Sequence, residues 1–101
     1  MPFDDSSLVF RVGGKIFAFV AVKDERGSVS LKCDPAMSGD LRAAWKAIKP
    51  GWHLNKEHWN TVELDGTVPD EILEDLVSRS WELVASGLSR TAREKAGLGS
   101  R

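Results

Sequence analysis

Apolar and polar positions alternate from the first strand-like stretch of this chain. Leu8, Phe10 and Val12 are separated by Val9 and Arg11, the period-two pattern of a strand with one buried face. Gly13-Gly14 interrupts the run, and two adjacent glycines accept the positive φ angles of a type I′ turn. A hairpin is therefore predicted, its second strand running from Lys15 to Val22. That strand is apolar on both faces, with Ile16, Ala18, Val20 and Val22 on one and Phe17, Phe19 and Ala21 on the other. Such a strand calls for cover on both sides. Lys23-Asp24-Glu25-Arg26-Gly27 reads as a polar turn, and Ser28 to Cys33 as a third strand with Val29, Leu31 and Cys33 inward.

The period then changes. Asp34-Pro35 supplies an N-cap oxygen and a preset φ at the first helical position. Met37, Leu41, Ala44, Trp45 and Ile48 follow helical spacing, and Lys49-Pro50-Gly51 is the stop. Gly39 weakens the first turn by about 1 kcal/mol relative to Ala, so the helix is expected to be firm from Asp40. Trp52-His53-Leu54 and His58 to Leu64 read as two strand segments around the polar turn Asn55-Lys56-Glu57. Thr67-Val68-Pro69-Asp70 resembles a capping box and opens the longest helix, over residues 69–86. Its apolar stripe is Ile72, Leu73, Leu76, Val77, Leu83 and Val84, with Gly87 as its stop. The order β-β-β-α-β-β-α predicts an α+β fold, an antiparallel sheet packed by helices. Residues 1–88 form a single domain on this reading, and 89–101 a basic, flexible tail or a short loose helix.

Composition narrows the class. The chain has 101 residues, 42% hydrophobic and 29% charged, which suits one globular domain. The longest apolar run, Ile16 to Val22, falls far short of the roughly 20 residues that span a bilayer. The start, Met1-Pro2-Phe3-Asp4-Asp5, lacks a signal peptide's basic and apolar regions, and Cys33 has no partner in the chain, so a reducing cytoplasm is the expected compartment. The net charge of −1 does not announce a nucleic-acid binder, but it conceals a gradient. Residues 41–62 carry Arg42, Lys46, Lys49 and Lys56 against Glu57. Residues 63–87 carry Glu63, Asp65, Asp70, Glu71, Glu74, Asp75 and Glu82 against Arg79. Residues 88–101 turn positive again, with Arg90, Arg93, Lys95 and Arg101 against Glu94.

The candidate chemistry points away from catalysis. His53 and His58 are five apart, with Cys33 and Glu57 as nominal further ligands, but no CxxC or HExxH spacing holds a metal. A helix N-terminus lowers a thiol pKa while a neighbouring carboxylate raises it, so Cys33 beside Asp34 reads as a buried structural residue. The pairs Asp70-Glu71 and Glu74-Asp75 read as a solvated helix face. No glycine-rich phosphate cradle is present, and no cofactor is expected. The stretch Pro50 to Thr61 differs, concentrating Trp52, His53, Asn55, Lys56, His58, Trp59 and Asn60. Aromatic rings among Lys, His and amide donors suit stacking and phosphate contact. The same tryptophans also suit a core, with Asn55-Lys56 forming only a turn. Both readings stand at this point.

Four ordered motifs resemble the MmcQ/YjbR family: Leu8-Val-Phe-Arg-Val-Gly-Gly-Lys-Ile-Phe-Ala18, Leu31-Lys-Cys-Asp-Pro35, Gly51-Trp-His-Leu-Asn-Lys-Glu-His-Trp-Asn-Thr-Val62 and Leu64-Asp-Gly-Thr-Val-Pro-Asp70. The resemblance extends through Val84. It implies a CyaY-like (frataxin-like) α+β fold, described as a double-wing DNA-binding domain. Its wings would be the hairpins Arg11 to Lys15 and Leu54 to His58. Lys15, Lys32, Arg42 and Lys56 would then meet phosphates while His53, Asn55, His58 and Asn60 orient the contact. The family pattern has a helical segment before Phe3-Asp4-Asp5, the motif within which this chain starts. The doubly apolar strand then lacks one cover, and self-association through that sheet face is expected. A protein-interaction domain is the competing reading, favoured by the acidic helix 69–86, and a frataxin-like metal binder rests on fold analogy alone.

Overall fold

The computed structural model describes residues 6–23, 26–51, 54–95 and 97. The elements are β1 (Ser6–Val12), β2 (Lys15–Lys23), β3 (Arg26–Lys32), α1 (Pro35–Ala44), β4 (Ile48–Pro50), β5 (Trp59–Glu63), α2 (Asp70–Ser86) and α3 (Arg90–Lys95). The strands form one antiparallel sheet in the order β1-β2-β3-β5-β4, and the α+β class expected from the sequence is the one observed. Gly13 and Gly14 make the first turn with φ of 57° and 82°. A Cβ on Gly13 would also lie 2.5 Å from Leu88 Cδ1, so the turn is both left-handed and closely packed.

The helices cover one face of the sheet. α2 lies on β1, β2 and β3, while α1 packs on β4 and β5. Ala18, Val29, Leu31, Ile48, Val62 and Leu76 are buried between these layers. A second cluster of Val12, Val84, Ala85 and Leu88 closes the β1 side, and Ala92 of α3 packs against it. Phe17 touches both clusters, which the alternation along β2 does not foretell. The cause is a bulge: Phe10 pairs with Ala18 and Arg11 with Ile16, leaving Phe17 without an opposite residue on β1. From there the alternation shifts, sending Phe17 to the helix side with Ala18 and Ile16 to the far side. Ser80, fully buried on α2, donates to the Phe17 carbonyl (2.5 Å) and accepts from the Lys32 N–H (2.8 Å). One hydroxyl thus fills the ladder where β2 and β3 part.

Several local expectations are corrected. The first helix ends at Ala44 rather than Ile48, because Trp45 turns to an extended conformation (φ −131°, ψ 120°). Ile48 has helical spacing from Leu41 and Trp45, yet it serves as a strand residue opposite Val62, with 2% of its surface exposed. Pairing gives its backbone partners that a frayed helix end lacks. The helix is also regular from Pro35 despite Gly39, since Asp34 accepts the Ala36 N–H at 2.9 Å and caps it. The fourth strand is Ile48–Pro50; Leu54 sits in a bend, and the expected strand residues Trp52 and His53 lie outside the described residues. No capping box opens α2. Thr67 instead turns back, its hydroxyl and N–H both donating to Asp65 at 2.6 and 2.9 Å, and these bonds hold that carboxyl below the usual range.

Candidate nucleic-acid interface

Strand direction decides which loops meet. β1 and β3 end where β2 and β5 begin, and β4 ends there as well. The Gly13-Gly14 turn, Lys15, Lys32, Cys33 and residues 54–58 therefore share one end of the sheet. Across that end, Lys15 stands on the first hairpin, Lys32 on the central strand, and Asn55, Lys56 and His58 on the connection between β4 and β5. Lys15, Asn55 and Lys56 are exposed, while Lys32 and His58 are half-buried.

The segment 54–58 is shaped by side chains more than by strand pairing. Asn55 Oδ1 accepts from the N–H groups of Glu57 (2.9 Å) and His58 (3.2 Å), making an Asx turn. The Asn55 carbonyl accepts from Trp59 N–H at 2.9 Å, and the His58 carbonyl accepts from Cys33 N–H at 2.8 Å. Gly51 lies against Trp59, where an added Cβ would stand 2.7 Å from Trp59 Cβ and 2.9 Å from its carbonyl oxygen. Arg42 reaches over from α1, its Nε donating to Asn60 Oδ1 at 2.7 Å and its Nη2 donating to the Lys56 carbonyl. Asn60 is buried and donates to the Ser38 carbonyl at 3.5 Å. Arg42 and Asn60 thus hold the connection in place, a positioning role that the sequence reading did not separate from direct contact. His53 lies outside the described residues.

Two further cations, outside the set expected to meet phosphates, also lie on the sheet. Arg11 donates to the Gly14 carbonyl at 3.3 Å and is exposed. Lys49 on β4 is exposed and meets Glu63 at 3.2 Å. Register, which no local pattern reveals, is what brings them to the sheet. Cys33 is half-buried beside the same end, and burial raises its thiol pKa, outweighing the lowering by Arg42; Asp34 adds to the rise. Among the described residues, no group of three or more His, Cys, Asp or Glu side chains could hold a metal. No helix among them is long and apolar enough to cross a membrane. Between α1 and α2 an apolar cleft of about 490 Å³ is floored by Leu31, Ile48 and Val62.

A five-stranded antiparallel sheet with helices on one face and two loop-bearing hairpins at one end defines a small α+β domain class seen in other solved proteins. The crystal structure of Deinococcus radiodurans protein DR2400, described as the family-model domain DUF419, superposes with a TM-score of 0.83 at 43% identity, covering 97% of this chain and 75% of that one. A Pseudomonas syringae protein superposes with a TM-score of 0.65 at 30% identity, over 75% of this chain and 74% of its own. In sequence, the chain is 35% identical to protein YbdF of Escherichia coli O157:H7, over 93% of this chain and 77% of that protein. It is 37% identical to YjbR of Escherichia coli K12, over 83% of this chain and 71% of that protein. The YjbR family model matches residues 1–83, and the chain belongs to the YjbR family.

Proposed function

We propose that this YjbR-family domain is a non-enzymatic nucleic-acid-binding module that meets duplex phosphates through its two hairpin ends. The carrying observation is the convergence of Lys15, Lys32 and Lys56 on one end of the sheet, with residues 55–57 held by hydrogen bonds from Asn55 and Arg42. Exposed ammonium groups on fixed backbone suit phosphate oxygens, and contacts of this kind are salt-dependent and carry little sequence information. The acidic side chains Asp70, Glu71, Glu74, Asp75 and Glu82 are exposed on α2 in the helix layer, and of these Glu82 lines the α1–α2 cleft together with Lys32. The test is a duplex gel shift at low salt. Lys15→Glu with Lys56→Glu is expected to weaken binding and to lower the salt slope by about 2, one unit per lost contact. Unchanged binding overturns the reading.

A second reading, association between copies of this chain, is favoured by the contrast between the sheet's two edges. The β4 edge is three residues long and carries Lys49 and Pro50, devices that block strand addition. The β1 edge is longer and exposes Leu8 (62%), Val9 (42%) and Phe10 (46%). Antiparallel pairing of two β1 edges about Val9 would set Leu8 against Phe10 and each Arg11 against Ser7, with no like charges opposed. Sedimentation equilibrium is expected to show a concentration-dependent dimer that Val9→Lys abolishes. A strict monomer at high concentration removes this reading.

A further inference from the structure

The face of the sheet opposite the helices carries a pattern of its own. Core-side residues are identified by their packing: Ala18, Val29, Leu31 and Val62 are buried under the helices. Alternation then assigns Val9, Arg11, Phe19, Ser30, Lys32, Trp59, Thr61 and Lys49 to the other face. Their register makes rows. Val9, Phe19, Ser30, Thr61 and Lys49 pair in succession across all five strands, and Lys32 pairs with Trp59 in the next row toward the hairpin ends. No helix packs on this face among the described residues.

We propose that this helix-free sheet face is a platform for single-stranded nucleic acid, with bases stacking on Phe19 and Trp59 and phosphates drawn to Arg11, Lys32 and Lys49. It deepens the preceding reading, since it shares Lys32 and the same end of the sheet. Phe19 and Trp59 are half-buried rings on the second and fourth strands of the sheet. Strand geometry sets them about 10 Å apart across the sheet and about 7 Å apart along it, room for separate bases. Between them the hydroxyl of Ser30, itself buried, and that of half-buried Thr61 hydrogen-bond at 2.8 Å. Beside this row, Ala21 and Ser28 line a shallow trough of about 670 Å³ walled by Lys49, Pro50 and Leu64. The charge is complementary to a polyanion. Lys23, Arg26 and Lys49 line the trough against two carboxylates, Glu63 and Asp65, and Lys49 already meets Glu63. Splayed bases on exposed aromatic rings, with cations along the backbone path, are how open sheets hold single strands. A duplex keeps its bases stacked and cannot use the rings.

The test uses the full chain and a fluorescein-labelled oligothymidylate about 15 nucleotides long, read by anisotropy at low salt beside a duplex and inorganic polyphosphate. Phe19→Leu and Trp59→Leu are each expected to weaken oligothymidylate binding about tenfold and to leave duplex binding within about twofold. Trp59→Phe, which keeps a ring beside Gly51, is expected to retain most of the binding, guarding against loss of fold. Arg11→Glu with Lys32→Glu is expected to reduce both affinity and salt slope. Absent oligothymidylate binding overturns the proposal. So does binding that polyphosphate displaces equally well and that Phe19→Leu leaves unchanged. If duplex binding persists and responds to Lys15→Glu with Lys56→Glu while the ring variants do nothing, the platform falls and the duplex reading stands.

Discussion

The two hairpins that reach the same end of the sheet are built by different means. In the first, β1 and β2 run directly into Gly13-Gly14, and the two left-handed glycines close the turn, with the nearby Arg11 side chain bonding the Gly14 carbonyl and the Leu88 side chain beneath. In the second, β4 is only Ile48–Pro50, β5 is Trp59–Glu63, and the long connection between them depends on Asn55, Arg42 and the absence of a side chain at Gly51. A local turn closes the one, and tertiary contacts close the other. The comparison implies that the second hairpin is the more easily broken by single substitutions, and that its damage spreads to α1.

Gly51→Ala gives the largest expected effect. The new methyl meets Trp59 Cβ and its backbone oxygen, neither of which can swing away, so a loss of about 3 kcal/mol is expected in urea denaturation. A loss below about 1 kcal/mol would show that the strands have freedom to part. Gly13→Ala is expected to cost about 2 kcal/mol, combining a left-handed residue with a clash against the Leu88 side chain, which can rotate in part. Asn at the same position tolerates the backbone better but meets Leu88 equally, so Gly13→Asn separates the two causes. The smallest effect is that of Arg42→Ala, about 1–2 kcal/mol, because Asn60 and the Lys56 carbonyl each lose a donor. Its distinguishing signature is local. Amide exchange should accelerate in residues 54–58 while the Gly13-Gly14 turn is unchanged, and equal acceleration in both would erase the contrast between the hairpins.

How much of this was legible follows the same division. The first hairpin, the Asp34-Pro35 start of α1 and the apolar stripe of α2 could be read directly, because turn glycines, caps and periodicity act within a few residues. Ser80 could in principle be found, since it lies four residues from both Leu76 and Val84 and so falls in the buried stripe. Its partners could not, being the Phe17 carbonyl and the Lys32 N–H of two strands far away in the chain. Ile48 escapes the local pattern for a related reason. Its position satisfies the helical period, and only the pairing with Val62 makes it a strand residue. The lysines of the candidate site were visible as a charge block, but the block did not tell Lys56, exposed on the connection, from Arg42, committed to holding it.

The amino-acid sequence by itself determined the α+β class, the β1–β2 hairpin and the family. Each depends on local chemistry or on ordered motifs that survive without coordinates. Tertiary structure decided the bulge at Phe17, the place of β4, the roles of Arg42 and Asn60, and the gathering of Phe19, Trp59 and the cations on one open face. The physical reason is register. An antiparallel ladder brings together residues distant in the chain, and a one-residue shift moves a side chain to the opposite face.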